Sequence, residues 1–129
     1  MGYADVEKFC LSLPGVTLQH SFGPAPIFKV GGKMFAIISV DHNGKPDGVW
    51  FKAGEASFDI LTKVKGIGPC PYLTRSHWVA MEGLKPLKAK ELKAYLLRAH
   101  AQIAMGLSKK KRAELGIAGQ ERDAFAPLF

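Results

Sequence analysis

The sequence predicts an α+β fold: a single two-layer domain in which an N-terminal helix and C-terminal helices pack on an antiparallel sheet of about five strands. Three observations carry this. Apolar residues recur at helical spacing near both ends of the chain. The segment between about residues 17 and 52 is rich in β-branched and aromatic residues and is cut by turn chemistry. Gly31-Gly32 is a two-residue hairpin connection, which makes its flanking strands antiparallel.

Tyr3 to Leu13 spaces Val6, Phe9, Cys10 and Leu13 three and four residues apart, so they share one stripe of a helix with Asp5, Glu7 and Lys8 outside it. Pro14-Gly15 ends that helix, and Asp5 and Glu7 near its start suit the helix dipole. Gly23-Pro24, Gly31-Gly32 and Asn43-Gly44, with Pro46 and Gly48 following, then delimit about four strands. These are placed near Thr17 to Phe22, Ile27 to Val30, Lys33 to Asp41 and Gly48 to Lys52, with a polar hairpin loop from Asp41 to Asp47. Ala53 to Val64 returns to helical spacing through Phe58, Leu61 and Val64, and Gly66 and Gly68 stop it.

Proline lacks an amide donor and restricts the residue before it, so Gly68, Pro69 and Pro71 bracket Cys70 in an ordered loop. His77 to Glu82 reads as a fifth strand. Lys88 to Met105 is the strongest helix: Leu92, Tyr95, Leu96, Ala99 and Ile103 fall within about 100 degrees, with Lys90, Lys93, Arg98 and His100 on the remaining arc. Gly106 caps it, and Ser108 caps a short basic helix from Lys109 to Leu115. Residues 1–115 are expected to form the domain and 116–129 a tail, docked or disordered.

With 129 residues and 47% hydrophobic composition, the chain supports one core and not two. Its net charge of +7 is unevenly spread, since Lys85 to Arg112 holds nine Lys or Arg against the single acid Glu91, for +8, and the rest sums to −1. Such an excess suits a polyanionic partner: nucleic acid, an anionic membrane or a phosphorylated ligand. No apolar run approaches the roughly 20 residues of a spanning helix, and the start lacks the basic-then-apolar order of an export signal. A cytoplasmic location without a membrane partner is therefore expected.

Cys10 and Cys70 show no CxxC or paired metal spacing, and two cysteines are few for a secreted scaffold, which points to reduced thiols. His20, His42, His77 and His100 are too scattered for a metal site. With no phosphate loop or nucleophile elbow either, neither a cofactor nor a catalytic residue is expected.

Strand alternation sets Val49, Phe51, Val79 and Met81 on one face and Trp50, Lys52, Trp78 and Glu82 on the other. If the first set is inward, two tryptophans beside a lysine make a stacking platform; if the phase is inverted, both tryptophans are core.

Several separated stretches, Leu13-Pro14-Gly15-Val16, Phe28 to Ala36, Lys52, and Tyr72 followed by Arg75-Ser76-His77-Trp78, occur in the order found in a known family. In these the chain resembles the MmcQ/YjbR family from about Tyr3 to Arg112. The resemblance implies a CyaY-like α+β fold and the DNA-binding role predicted for that family. It departs from the family pattern at Thr74-Arg75-Ser76, where a small polar residue and Lys are frequent, and at Ala99-His100, where a Ser-Tyr pair is common. The acidic ridge that iron binding by a CyaY-like fold would need is absent from the first helix.

The function expected is non-enzymatic, sequence-independent binding of double-stranded DNA, with Lys88, Lys90, Lys93, Arg98, Lys109, Lys110, Lys111 and Arg112 on phosphates. The bland alternative for these residues is a solvated helix face. A second function, binding of a small anionic ligand or a protein, would use Lys52, Tyr72, Arg75, His77 and Trp78. The sequence leaves open whether the chain is a monomer or a dimer.

Overall fold

The computed structural model describes residues 1–20, 24–71, 73 and 76–117. Along the chain run α1 (Tyr3–Ser12), β1 (Val16–Gln19), β2 (Ile27–Val30), β3 (Lys33–Val40), β4 (Pro46–Lys52), α2 (Glu55–Leu61), β5 (Ile67–Pro69), β6 (Trp78–Glu82), α3 (Ala89–Met105) and α4 (Lys109–Glu114). The strands form one sheet in the order β1-β2-β3-β4-β6-β5, and every neighbouring pair is antiparallel. Six strands stand where about five were expected. The additional one, β5, is three residues containing Gly68 and Pro69, too short and too poor in strand formers to be read locally. Proline is tolerated there because β5 is an edge strand. At the other edge β1 ends at Gln19, and the last part of the strand expected up to Phe22 lies outside the described residues.

Pairing sorts the strand residues into two faces. Phe28, Ala36, Phe51 and Val79 form one row across β2, β3, β4 and β6, and Ile38, Val49, Met81 and Ile67 form the next. All are buried and belong to one cluster with Val6, Cys10, Leu92, Leu96 and Ala99 of α1 and α3, so this face carries the helices. A bulge in β3 adds to it. The register slips between Phe28 and Lys29, leaving Phe35 unpaired, and Phe35 joins Ala36 in the core with its ring centroid 6.5 Å from that of Phe28.

The strand phase that places Val49, Phe51, Val79 and Met81 inward is therefore the one adopted. Trp50 and Trp78 stand on the opposite face, Trp50 partly exposed and Trp78 at 4% exposure. Trp78 is closed in where its loop folds back: its N–H donates to the Leu73 carbonyl at 3.3 Å, and its own carbonyl accepts from Cys70 N at 3.1 Å.

The end of the sheet at the β2–β3 turn is held by the last helices. Gly31 has a φ of 59°, and a Cβ there would lie 2.6 Å from Leu107 Cδ1, so the hairpin needs glycine both for its backbone and for the approach of the α3–α4 link. Ile117 is fully buried in the core cluster and Leu115 packs against it, anchoring α4 from behind. His100, expected on the polar arc of α3, is instead only 3% exposed. The wheel misplaces it because the α1–β1 turn covers that side of the helix: His100 Nε2 lies 2.8 Å from the Pro14 carbonyl oxygen. Among the described residues no helix is long and apolar enough to cross a membrane.

Candidate nucleic-acid interface

The basic residues divide into two groups along α3 and α4. Lys88 caps the start of α3, where its N–H donates to Glu91 Oε1 at 3.0 Å; Lys88, Lys90 and Lys93 are exposed and Arg98 partly so. At 100 degrees per residue, Lys90 and Lys93 project about 60 degrees apart, whereas Lys93 and Arg98 are about 140 degrees apart. They do not share one stripe. Lys93 leans toward α1, with Nζ 5.8 Å from the Phe9 ring centroid, while Arg98 borders α2. The helix rises about 1.5 Å per residue, so Lys88 lies about 25 Å from its far end, where the second group begins.

That second group sits on α4. Ser108 caps the helix by accepting from Lys111 N at 3.1 Å, as its sequence position predicts. Lys109, Lys110 and Lys111 are exposed, and among the described residues none of the three is ion-paired with a carboxylate. Arg112 is half-buried, and its Nε is enclosed without a hydrogen-bond partner among the described residues.

Of the loop set, Tyr72 and Arg75 lie outside the described residues. Lys52 and Trp78 face each other across β4 and β6, and Lys52 Nζ donates to the Ser76 carbonyl at 2.9 Å. His77 adopts a φ of 57°, a left-handed conformation that costs a non-glycine residue on the order of 1 kcal/mol and persists only when neighbours over-determine it. They do: its carbonyl accepts from Ala53 N at 2.9 Å, and its ring meets Phe58 edge-on, with centroids 5.5 Å apart. Lys52, His77 and Trp78 thus fasten the loop to the sheet.

Among the described residues, two shallow clefts flank α3 beside Arg98, which the sequence assigns only to phosphate contact. One, of about 150 Å³, is lined by Gly54, Glu55, Ser57, Arg98 and Gln102; the other, of about 210 Å³, by Glu91, Ala94, Tyr95 and Arg98. Arg98 borders both, and Gln102, one turn on, donates to the Ala53 carbonyl at 3.3 Å. The i, i+4 spacing of Arg98 and Gln102 places them on one side of α3, but only the packing of α2 makes that side concave.

Both cysteines are reduced and buried, and burial pushes Cys10 up to about 12, with Glu7 adding to the effect, and Cys70 up to about 11. Neither is a nucleophile at neutral pH. No cluster of three or more potential metal ligands occurs among the described residues.

Residues 11–102, most of the strands and helices just described, match the YjbR family model. The chain belongs to the YjbR family. A crystal structure of a Deinococcus radiodurans protein with a DUF419 domain superposes with a TM-score of 0.78 at 23% identity, covering 90% of this chain and 88% of that one. A Pseudomonas syringae protein superposes with a TM-score of 0.61 at 19% identity, covering 79% and 98% respectively. These similarities establish a shared fold. No curated protein matches the chain. Within this YjbR fold, Pro14, Lys52, His77 and Trp78, on which the sequence resemblance was read, all make the structural contacts described above.

Proposed function

We propose that this YjbR-family protein is a cytoplasmic, non-enzymatic domain that binds double-stranded DNA without sequence choice through α3 and α4. The observation that carries this reading is the exposure of Lys109, Lys110 and Lys111 on a helix anchored at both ends, by the Ser108 cap and by Ile117 in the core. Cations presented on a fixed element meet phosphates with less ordering cost than cations on a loose tail. Lys88, Lys90, Lys93 and Arg98 extend the positive field along α3, and the net charge of +7 favours association with a polyanion.

The test is fluorescence anisotropy with a labelled duplex at low and at physiological salt, on the native chain and on the Lys109→Gln, Lys110→Gln, Lys111→Gln triple variant. Binding that falls steeply with salt and weakens in the variant is expected. Absence of binding at low salt, or indifference to the triple change, removes the proposal. The alternative, an anionic ligand or protein at Lys52, Tyr72, Arg75, His77 and Trp78, has less support, because Lys52 and His77 are engaged in holding the loop.

A further inference from the structure

The β2–β3 hairpin carries a cation that has no part in the surface formed by α3 and α4. Lys33 opens β3 directly after the Gly31-Gly32 turn and is exposed. It pairs with Val30, and residues paired across an antiparallel ladder stand on the same face of the sheet. Val30 is fully buried in the core cluster, so its face is the one that carries the helices. Lys33 therefore projects on the helix side, beyond the edge of the core, whereas Lys29, paired with Met34, projects on the other side.

On that side the hairpin meets the start of α4. A Cβ at Gly31 would lie 2.6 Å from Leu107 Cδ1, so the turn and the α3–α4 link are in contact. Consecutive Cα atoms are about 3.8 Å apart, which keeps Lys33 within about 8 Å of Gly31 and Lys109 within about 8 Å of Leu107. Lys33, Lys109, Lys110, Lys111 and Arg112 thus gather at one end of the sheet from two segments far apart in the chain. The α1–β1 turn reaches the same end, because Val16 pairs with Val30 and Gly15 borders Leu115, and from Ser12 to Val16 it carries no charge. On α4 the cations face one acid, Glu114, while Asp41 and Asp47 lie at the other end of β3 and β4. Among the described residues no carboxylate pairs with Lys33.

We propose that Lys33 is a phosphate contact of the duplex-binding surface, and that the β2–β3 hairpin tip and α4 meet the duplex side by side at this end of the sheet. The inference rests on the duplex-binding reading and moves the centre of that surface. Lys88 stands about 25 Å away at the far end of α3, while Lys33 adjoins the lysines of α4. Both elements are fixed before the ligand arrives, Lys33 by strand pairing and α4 by the Ser108 cap and Ile117, so little ordering cost opposes a joint contact. A duplex presents phosphates at close intervals along both strands and can meet two adjacent elements at once. Such contacts position the duplex and read no base.

The experiment compares the full chain with Lys33→Gln, with Lys45→Gln and with the triple Gln variant of α4, measuring affinity for a labelled duplex across a salt series. Lys45 is also exposed but stands in the β3–β4 loop at the opposite end of β3, so its replacement removes the same charge away from the proposed contact. For Lys33→Gln the slope of log affinity against log salt should be about 0.9 shallower than native, and for Lys45→Gln it should be native. Thermal midpoints of both should match the native chain, since both side chains are exposed. Adding Lys33→Gln to the triple variant should make the slope shallower by up to about 3.6. The proposal is overturned if Lys33→Gln keeps the native slope while the triple variant weakens binding, a result that leaves the α4 reading standing. It is overturned equally if Lys45→Gln matches Lys33→Gln, which would trace the effect to net charge alone. No duplex binding at low salt, or indifference to the triple change, removes both readings.

Discussion

His100 Nε2 lies 2.8 Å from the Pro14 carbonyl oxygen, joining α3 to the α1–β1 turn across 86 residues of chain. A carbonyl only accepts, so Nε2 carries the hydrogen. The same ring stands edge-on to Phe35, with centroids 5.4 Å apart and planes at 88°. One side chain therefore fixes the turn, the long helix and the bulged strand together.

Replacing His100 tests the size of that tie. His100→Ala removes both the hydrogen bond and the ring, and is expected to cost about 2–4 kcal/mol in urea unfolding. His100→Phe keeps a ring but leaves the Pro14 carbonyl without this donor, and is expected to cost about 1–3 kcal/mol. Equal stability of His100→Phe and the native chain would show that the bond contributes nothing.

Gly48 is buried in β4, where an added Cβ would lie 2.2 Å from the Met81 carbonyl oxygen and 3.0 Å from Ser39 Oγ. The first neighbour is backbone and cannot move without breaking the β4–β6 ladder. Gly48→Ala should therefore destabilise by about 2 kcal/mol or more, in the range of overpacked cores. At Gly68 a Cβ meets nothing within 4 Å among the described residues, and Gly68→Ala should be nearly neutral. Comparing the two thermal midpoints checks the contrast.

Charge removal at α4 gives a quantitative signature. The slope of log affinity against log salt is negative, and each phosphate that is no longer neutralised makes it shallower by about 0.9, so the triple Gln variant should make it shallower by up to about 2.7. Circular dichroism should be unaltered, because Lys109, Lys110 and Lys111 are exposed. A slope equal to that of the native chain would place the DNA-binding surface elsewhere.

The thiols report on folding. From an ordinary value of 9.0, burial raises Cys10 to about 12 and Cys70 to about 11. Below pH 9 both thiols are neutral in the folded and unfolded chain alike, so their contribution to stability is intact; it is lost as pH climbs through 11 and 12. At pH 8 a thiol reagent should label the native protein only at the rate of opening and react at once in urea. Rapid labelling of the native chain would contradict the burial of Cys10 and Cys70.

Most of the fold was legible because it rests on local periodicity. The stripe of Val6, Phe9, Cys10 and Leu13, the hairpin at Gly31-Gly32 and the alternation of Val49 and Phe51 with Trp50 and Lys52 need only neighbours in sequence to be read. The candidate site was less legible. Lys90, Lys93 and Arg98 looked like one basic face from their charge, but their angles on α3 and the position of α2 divide them. Spacing alone gave no sign of the cleft between Arg98 and Gly54, since it exists only where α2 meets α3.

By itself the sequence determined the helices, the central antiparallel strands, the concentrated positive charge and the resemblance to the family, because helix and strand periods and turn residues act over a few positions. Only the tertiary structure decided that Ile67 to Pro69 pairs with β6, that His100 is buried against Pro14, and that the helices cover the face of Phe51 and Val79 and leave that of Trp50. Those outcomes depend on contacts between segments far apart in the chain, where burial of apolar area and backbone pairing across the sheet outweigh local preference.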